Sequence, residues 1–232
     1  KVLLSQTIFA NNVTHYGPTK VVLKADLDSG GWPKFGRDKA LDLLRKSFAF
    51  QICGDQHLPS LVQYGIEDYK DASWAFCTPA VAVGYPRRFM PDTLGIPSKG
   101  RPKHNLPNTG LFTDGFGNKN FVYAVGNPDD SDIHENRYQK AQNKASGYGY
   151  ITLNTKTRDI ETDAIRFLSR DKDEQKRGNF EGWPKSINQL ENYNASNGIS
   201  LPTFKIKNTA NLVIEIRKEN SNELEHIVRV NG

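Results

Sequence analysis

Apolar positions along the 232-residue chain fall into short runs and alternations between polar punctuation. One amphipathic stretch is long enough for a helix. Lys1–Phe9 reads as a buried strand running out through Ser5-Gln6-Thr7, and Asn11–Pro18 reads as loop. Val21–Leu23 leads into the punctuated stretch Asp26-Leu-Asp-Ser-Gly-Gly-Trp-Pro33. A helix is predicted from about Arg37 to Phe48. Ala40, Leu41, Leu43, Leu44 and Phe48 lie largely on one side, and Arg45 and Lys46 fall in the last turns, where cations suit the helix dipole. Phe50–Cys53 follows as a short strand that breaks at Gly54. Strand, loop, helix and strand in this order mark a layered α/β unit, whose ligand sites favour the carboxyl ends of the strands.

Beyond His57 the pattern turns to β. Leu61–Ile66 and Trp74–Val83 read as strands around a polar turn at Glu67–Asp71. Pro79, Pro86, Pro91, Pro97, Pro102 and Pro107 then punctuate a long irregular region, and loops of such length are usually functional or mobile. Phe121–Val125, Tyr148–Asn154 and Arg158–Phe167 are further strands, the last two joined by the turn Asn154-Thr-Lys-Thr-Arg158. A second loop region containing Gly182-Trp-Pro184 extends to Ser200. Thr203–Lys207, Val213–Arg217 and His226–Val230 alternate like the edge of a small antiparallel module. No internal repeat is visible. The organisation expected is a main unit over 1–200 and the start of a small β module over 201–232.

Composition adds bounds. Hydrophobic residues at 37% and aromatics at 10% can build a core, and 25% charged residues fit a folded chain rather than a disordered one. No apolar run approaches the ~20 residues that span a bilayer. The sequence opens at Lys1 without a leading Met or a visible secretion signal, and it reads as an internal piece of a longer protein. Lys and Arg total 31 against 26 Asp and Glu, a surplus of +5, too small to announce nucleic acid; no nucleic-acid-binding motif occurs. Between Gly84 and Asn105 the basic residues Arg87, Arg88, Lys99, Arg101 and Lys103 face a single acid, Asp92. That is either a solvated basic loop or a funnel for an anionic substrate. Cys53 and Cys77 sit in apolar segments without a CxxC, so they are buried thiols or, if their strands are neighbours, a bridge. Asn12-Val-Thr and Asn194-Ala-Ser match the glycosylation sequon, as an Asn-rich chain does by chance.

The segment with most chemistry is Gly54-Asp55-Gln56-His57. Gly54 is expected to turn the backbone at the strand end, so that Asp55 and His57 point toward one centre. A hard carboxylate oxygen beside an imidazole nitrogen suits Fe, Mn, Zn, or a mixed site with Ca. Four letters alone also describe a turn Asp beside an exposed His. His15, His104, His134 and His226 have no companion at ligand spacing and read as loop or surface histidines.

Several separated motifs, in order, resemble the closing part of the catalytic domain of PhoD-like phosphatases, a branch of the calcineurin-like metallophosphoesterases. They are Asp26-Leu-Asp-Ser-Gly-Gly-Trp-Pro33, Arg37, Cys53-Gly-Asp-Gln-His-Leu58, Val62-Gln-Tyr-Gly-Ile66, Ala75-Phe-Cys-Thr-Pro79, Tyr85-Pro-Arg-Arg88, Thr113-Asp-Gly-Phe-Gly-Asn118, Gly147-Tyr-Gly149 and Gly182-Trp-Pro184. The resemblance covers roughly residues 1–190. It implies a four-layer αββα sandwich with a binuclear metal centre at one rim, in a chain that is α/β overall and rich in strands. Asp55 would be a metal ligand, and His57 a second ligand or a hydrogen-bonding catalytic residue beside the phosphoryl group. A carboxylate where other metallophosphoesterases carry imidazole favours Fe or Ca over Zn. Gln6 stands where many relatives carry a metal-binding His, and is either a substrate or water contact or a structural loop hydrogen bond. Trp32 and Arg37 fall in the motif resembling the pocket-lining loop. Arg37 would fork onto a phosphate, or else start the helix and pair with Asp38 or Asp42. Asp26 and Asp28 would order that loop, and Arg87 and Arg88 would belong to an anionic rim. The family's earlier motifs are absent, which implies that they lie upstream and that this chain alone is inactive. The substrate implied is a phosphate ester. Many relatives are exported, which is compatible with a secreted or periplasmic parent. A competing reading is a non-catalytic β-rich module that binds carbohydrate or protein through its loops and exposed aromatics.

Overall fold

The computed structural model describes residues 1–129, 136–168, 178–192, 204–207 and 212–230. The protein is mixed α/β and rich in strands, with two α-helices and several sheets among the described residues. Its centre is a six-stranded sheet in the order β1 (Val2–Leu4), β4 (Phe50–Cys53), β6 (Ser73–Cys77), β5 (Ser60–Tyr64), β9 (Lys119–Val125) and β8 (Gly110–Thr113). β1, β4 and β6 are parallel, and β5 pairs antiparallel with both β6 and β9. β1, β4, β6 and β9 therefore run one way, and the segments leaving them emerge at one edge.

Strict alternation on these strands buries both faces. Val62, Tyr64, Ala75 and Cys77 join Ile8, Ala10 and Val13 of the segment after β1, and Leu41 and Leu44 of helix α1 (Lys34–Arg45). Leu61, Trp74, Phe76 and Phe50 face the other way. They pack on Ile160, Ala164 and Ile187 of a second, three-stranded sheet of β10 (Gly147–Asn154), β11 (Asp159–Arg166) and β12 (Lys185–Asn188). Helix, sheet and sheet thus stack in that order. A small sheet joins β3 (Val21–Val22), β2 (His15–Tyr16) and β7 (Arg87–Arg88), and a hairpin pairs β13 (Leu212–Arg217) with β14 (Leu224–Val230). No helix among the described residues is long and apolar enough to cross a membrane.

Several expectations change. Helix α1 begins three residues earlier than predicted, because Pro33, at φ −68° and extended, sits at its N-cap after a cis Trp32–Pro33 bond and can open a helix but not continue one. It ends early because Phe48 turns left-handed at φ 50°. Leu43, assigned to the buried side, is 64% exposed. β6 stops at Cys77 rather than Val83, since Pro79 has no N–H to donate to a ladder. β2, β3, β8 and β12 are too short to show a period, and α2 (Arg137–Asn143) lacks an apolar stripe; it starts because the Asn136 side chain accepts from Tyr138 N and Gln139 N. The turn at Asn154–Arg158 forms as expected, closed by Arg158 N to Asn154 O at 2.8 Å. His134, Asn194 and Thr203 lie outside the described residues.

Candidate functional site

The loop Gly54–His57 leaves the carboxyl end of β4 beside the segment leaving β1. Hydrogen bonds join the two: Gly54 N donates to Gln6 O at 3.1 Å, and Gln56 Nε2 donates to Thr7 Oγ1 at 2.6 Å. Gln56 points inward and is 1% exposed, which turns the residues on either side outward. The Asp55 and His57 side chains are 46% and 28% exposed, with Oδ1 and Nε2 3.9 Å apart. The turn is not made at Gly54, as the sequence suggested: a side chain there would meet nothing, and its φ is not left-handed. Asp55 at φ 59° and His57 at φ 60° are the left-handed residues. Such backbone costs of order 1 kcal/mol per non-glycine residue, and Asp and His tolerate it better than most.

His57 Nδ1 lies 2.6 Å from the carbonyl oxygen of Tyr85. A carbonyl can only accept, so Nδ1 carries a proton, and Nε2 is the ring nitrogen left on the Asp55 side. This is the support that metal-binding histidines ordinarily have. Tyr85 lay within a quoted motif, but nothing in the sequence assigned a role to its backbone. Gln6 Nε2 donates to Asp55 Oδ2 at 2.9 Å. This hydrogen bond joins the two loops across 49 positions of sequence.

Arg87 NH1 and NH2 meet Asp26 Oδ2 at 2.9 Å and Asp28 Oδ2 at 3.0 Å, so this cation is held by two carboxylates. Burial pushes the Asp26 carboxyl above its ordinary value against the pull of Arg87, and the charges of Asp28 and Asp55 add to the push. Asp26 and Asp28 thus order the loop before Trp32, as expected. Trp32 itself is 52% exposed beside its cis bond. Arg37 does not face the loop's open side. It is 3% exposed, donates to Phe9 O at 2.7 Å and pairs with Asp38 at 2.9 Å, so it anchors α1 to the segment after β1. Arg88 is 1% exposed with NH1 on Gly17 O, and Arg101 pairs with Asp92. The basic stretch is therefore largely consumed by internal partners, with Lys99 and Lys103 left on the surface.

Cys53 and Cys77 are buried free thiols opposite one another in register on β4 and β6. The hydrogen bond with Cys77, and burial after it, push the Cys53 thiol well up. His15 is buried rather than superficial, pushed down by burial and then by Arg88 and Lys20. His226 Nδ1 bonds Lys46 O, and His104 Nε2 meets Tyr123 O. Asn12 of the first sequon is 1% exposed, out of reach of a glycan in the folded chain.

Among the described residues no three His, Cys, Asp or Glu side chains converge to hold a metal ion. Asp55 and His57 fit such a site as two donors: each would need to lie ~2.0–2.6 Å from a shared cation, which a 3.9 Å separation allows. No protein-family model matches the chain, and neither a curated protein nor a solved structure matches it.

Proposed function

We propose that the chain forms part of a metal-dependent phosphoric ester hydrolase, a phosphatase or phosphodiesterase of the PhoD-like metallophosphoesterase kind. The observation that carries this reading is the outward pair Asp55 and His57 at a strand end, with the imidazole tautomer set by the Tyr85 carbonyl so that Nε2 is free. The order of the motifs resembles that family, and the stacking of α1 on two sheets supports the larger αββα sandwich as part of the same proposal.

Bound metal ions, Fe and Ca first with Mn or Zn as alternatives, would supply an activated water and charge neutralisation at the phosphoryl group. The chain's own residues prepare that site. Gln6 holds one oxygen of Asp55 and leaves the other toward His57. Arg87 is held by Asp26 and Asp28 and presents no free fork to this rim. Two donors cannot fix a binuclear centre, so further ligands come from outside the described residues. The chain alone then binds metal weakly and turns over no ester.

The test is Mn²⁺ titration of the chain followed by NMR line broadening, with hydrolysis of bis(p-nitrophenyl) phosphate assayed in parallel. Broadening is expected first at His57 and Asp55, and lost in Asp55→Ala. Broadening elsewhere, indifferent to Asp55→Ala, would sink the ligand assignment; stoichiometric metal with turnover would sink the claim that other ligands are required. The alternative, a non-catalytic module for carbohydrate or protein, draws on Tyr148 and Tyr150, which are 49% and 57% exposed at successive outward positions of β10. It expects glycan or protein binding to fail in Tyr150→Ala and to survive Asp55→Ala.

A further inference from the structure

Between positions 27 and 35 three large apolar side chains stand in solvent: Leu27 is 65% exposed, Trp32 52% and Phe35 82%. Single exposed apolar residues are ordinary, but here the fold gathers them at one edge. Gly30 N donates to Ile8 O at 2.9 Å, which ties the Leu27–Trp32 loop to the segment leaving β1. Phe35 is in the first turn of α1, beside Arg37, which bonds Phe9 O of that same segment. α1 ends where β4 is about to begin. Its first turn, ~18 Å back along the helix axis, therefore stands at the carboxyl end of β4, the edge that carries Gly54–His57. A clamp joins the segment leaving β6: Arg87 NH2 holds Asp28 at 3.0 Å, and Tyr85, two residues before Arg87, is half exposed with its carbonyl on His57. Val81 of that segment is also largely exposed.

The charges left over at this edge are mostly of one sign. Asp26 and Asp28 are held by Arg87, and Asp38 by Lys34 and Arg37. Lys24, and Lys39 one turn after Phe35, are exposed and have no ion pair among the described residues. Lys144 Nζ donates to Gly84 O beside Tyr85 at 3.0 Å. Against these three cations stands Asp55, which accepts from the neutral Gln6. Lysine is depleted from the cores of protein–protein interfaces, and two copies meeting through this edge would oppose like charges. Trp, Phe and Leu flanked by lysine suit instead the boundary between headgroups and acyl chains.

We propose that this edge docks on an anionic phospholipid bilayer, which the chain lies on and does not span. Leu27, Trp32 and Phe35 enter the acyl boundary, and Lys24, Lys39 and Lys144 meet the headgroups. The docked orientation turns the loop Gly54–His57 toward the headgroup layer.

The experiment titrates the whole chain with vesicles of phosphatidylcholine, with and without phosphatidylglycerol, followed by tryptophan emission and by co-sedimentation. Trp74 and Trp183 are buried, so of the three tryptophans Trp32 reports the surface. Vesicles containing phosphatidylglycerol should shift its emission to the blue, and brominated acyl chains should quench it. Phosphatidylcholine alone should bind about tenfold more weakly or worse. Phe35→Ser, at the most exposed of the three, should weaken co-sedimentation about tenfold. Leu27→Ser, outside the helix, should act alike and keeps the test open if Phe35→Ser disturbs α1. Lys24→Gln and Lys39→Gln should each cost about fivefold on anionic vesicles and nothing on neutral ones. The proposal is overturned by an absence of binding, by adsorption that brominated chains do not quench, or by binding that survives Phe35→Ser and Leu27→Ser together. A blue shift that grows with protein concentration without lipid also overturns it, in favour of a second copy on this edge. The titration holds no metal, so its failure and the failure of the metal reading of Asp55 and His57 are independent.

Discussion

Two short loops close opposite ends of the central strands, and each is built around an aspartate. In the turn between β5 and β6, Asp71 accepts from the backbone N–H of Ile66, Glu67 and Asp68 at 2.7, 2.8 and 3.0 Å. In the loop after β4, Asp55 accepts from a single side chain, Gln6, and stays nearly half exposed. Gly65 is required at the first loop, because a Cβ there would sit 1.7 Å from Asp71 Oδ1 and 1.9 Å from Asp68 O. Gly54 is not required at the second. One carboxylate is spent on holding its own turn. The other is held at a strained backbone position and left with capacity to bind something else, which is how a structural aspartate and a candidate ligand differ when the letters look alike.

The comparison breaks most readily at Gly65. Gly65→Ala should destabilise by about 3 kcal/mol, since backbone and a fixed carboxylate must move to admit the methyl; urea unfolding measures it, and a loss under 1 kcal/mol would mean the turn is loosely held. Asp71→Ala should cost about 2 kcal/mol by removing three hydrogen bonds that close the turn, one of them from the part-buried Ile66 N–H. The same aspartate sharpens the contrast with pH. Burial opposes ionisation of Asp71, but the side-chain hydrogen bond with Glu67 and the backbone bonds outweigh it and hold its carboxyl below the usual range. Its folded form therefore sheds the proton more readily than its unfolded form. The stability it contributes is complete above the ordinary carboxylate value, about pH 4, and is lost as pH falls through the lowered pKa. The difference between wild type and Asp71→Asn should shrink on acidification. Asp26 has the opposite sign: its carboxyl is pushed up, so its effect on stability worsens as pH rises from the ordinary value through the raised one. The smallest effect belongs to Asp55→Gly, expected within about 1 kcal/mol of wild type, because glycine relieves the left-handed φ while one exposed hydrogen bond is lost. That variant should still lose the Mn²⁺ broadening at His57.

The strands read as Phe50–Cys53, Leu61–Ile66, Trp74–Val83 and Phe121–Val125 were legible in place, though the second and third end earlier than read, because each is a short apolar run, and the turn residues around Asn154 and Asp71 announce themselves locally. Asp55 and His57 were legible as candidates because a carboxylate and an imidazole stand two positions apart directly after a strand. The fates of the arginines were not. Arg37, Arg87 and Arg88 are equally basic in sequence, yet one is anchored on Phe9 O and Asp38, one is clamped by Asp26 and Asp28, and one is buried on Gly17 O. Each partner comes from a different element, so no local pattern encodes it. The same holds for Asn12, which reads as a sequon and proves to be a buried amide without a hydrogen-bond partner.

By itself the sequence determined the mixed α/β character, the strands of the core and the loop that carries Asp55 and His57, because periodicity and turn chemistry act over a few residues. Only the tertiary structure decided that the Tyr85 carbonyl meets His57 Nδ1, that Gln6 Nε2 donates to one oxygen of Asp55, and which arginines are held by internal partners. Those outcomes depend on which segments meet at the edge where β1, β4, β6 and β9 end. Hydrogen bonds and ion pairs between them are short-ranged in space and indifferent to distance along the chain.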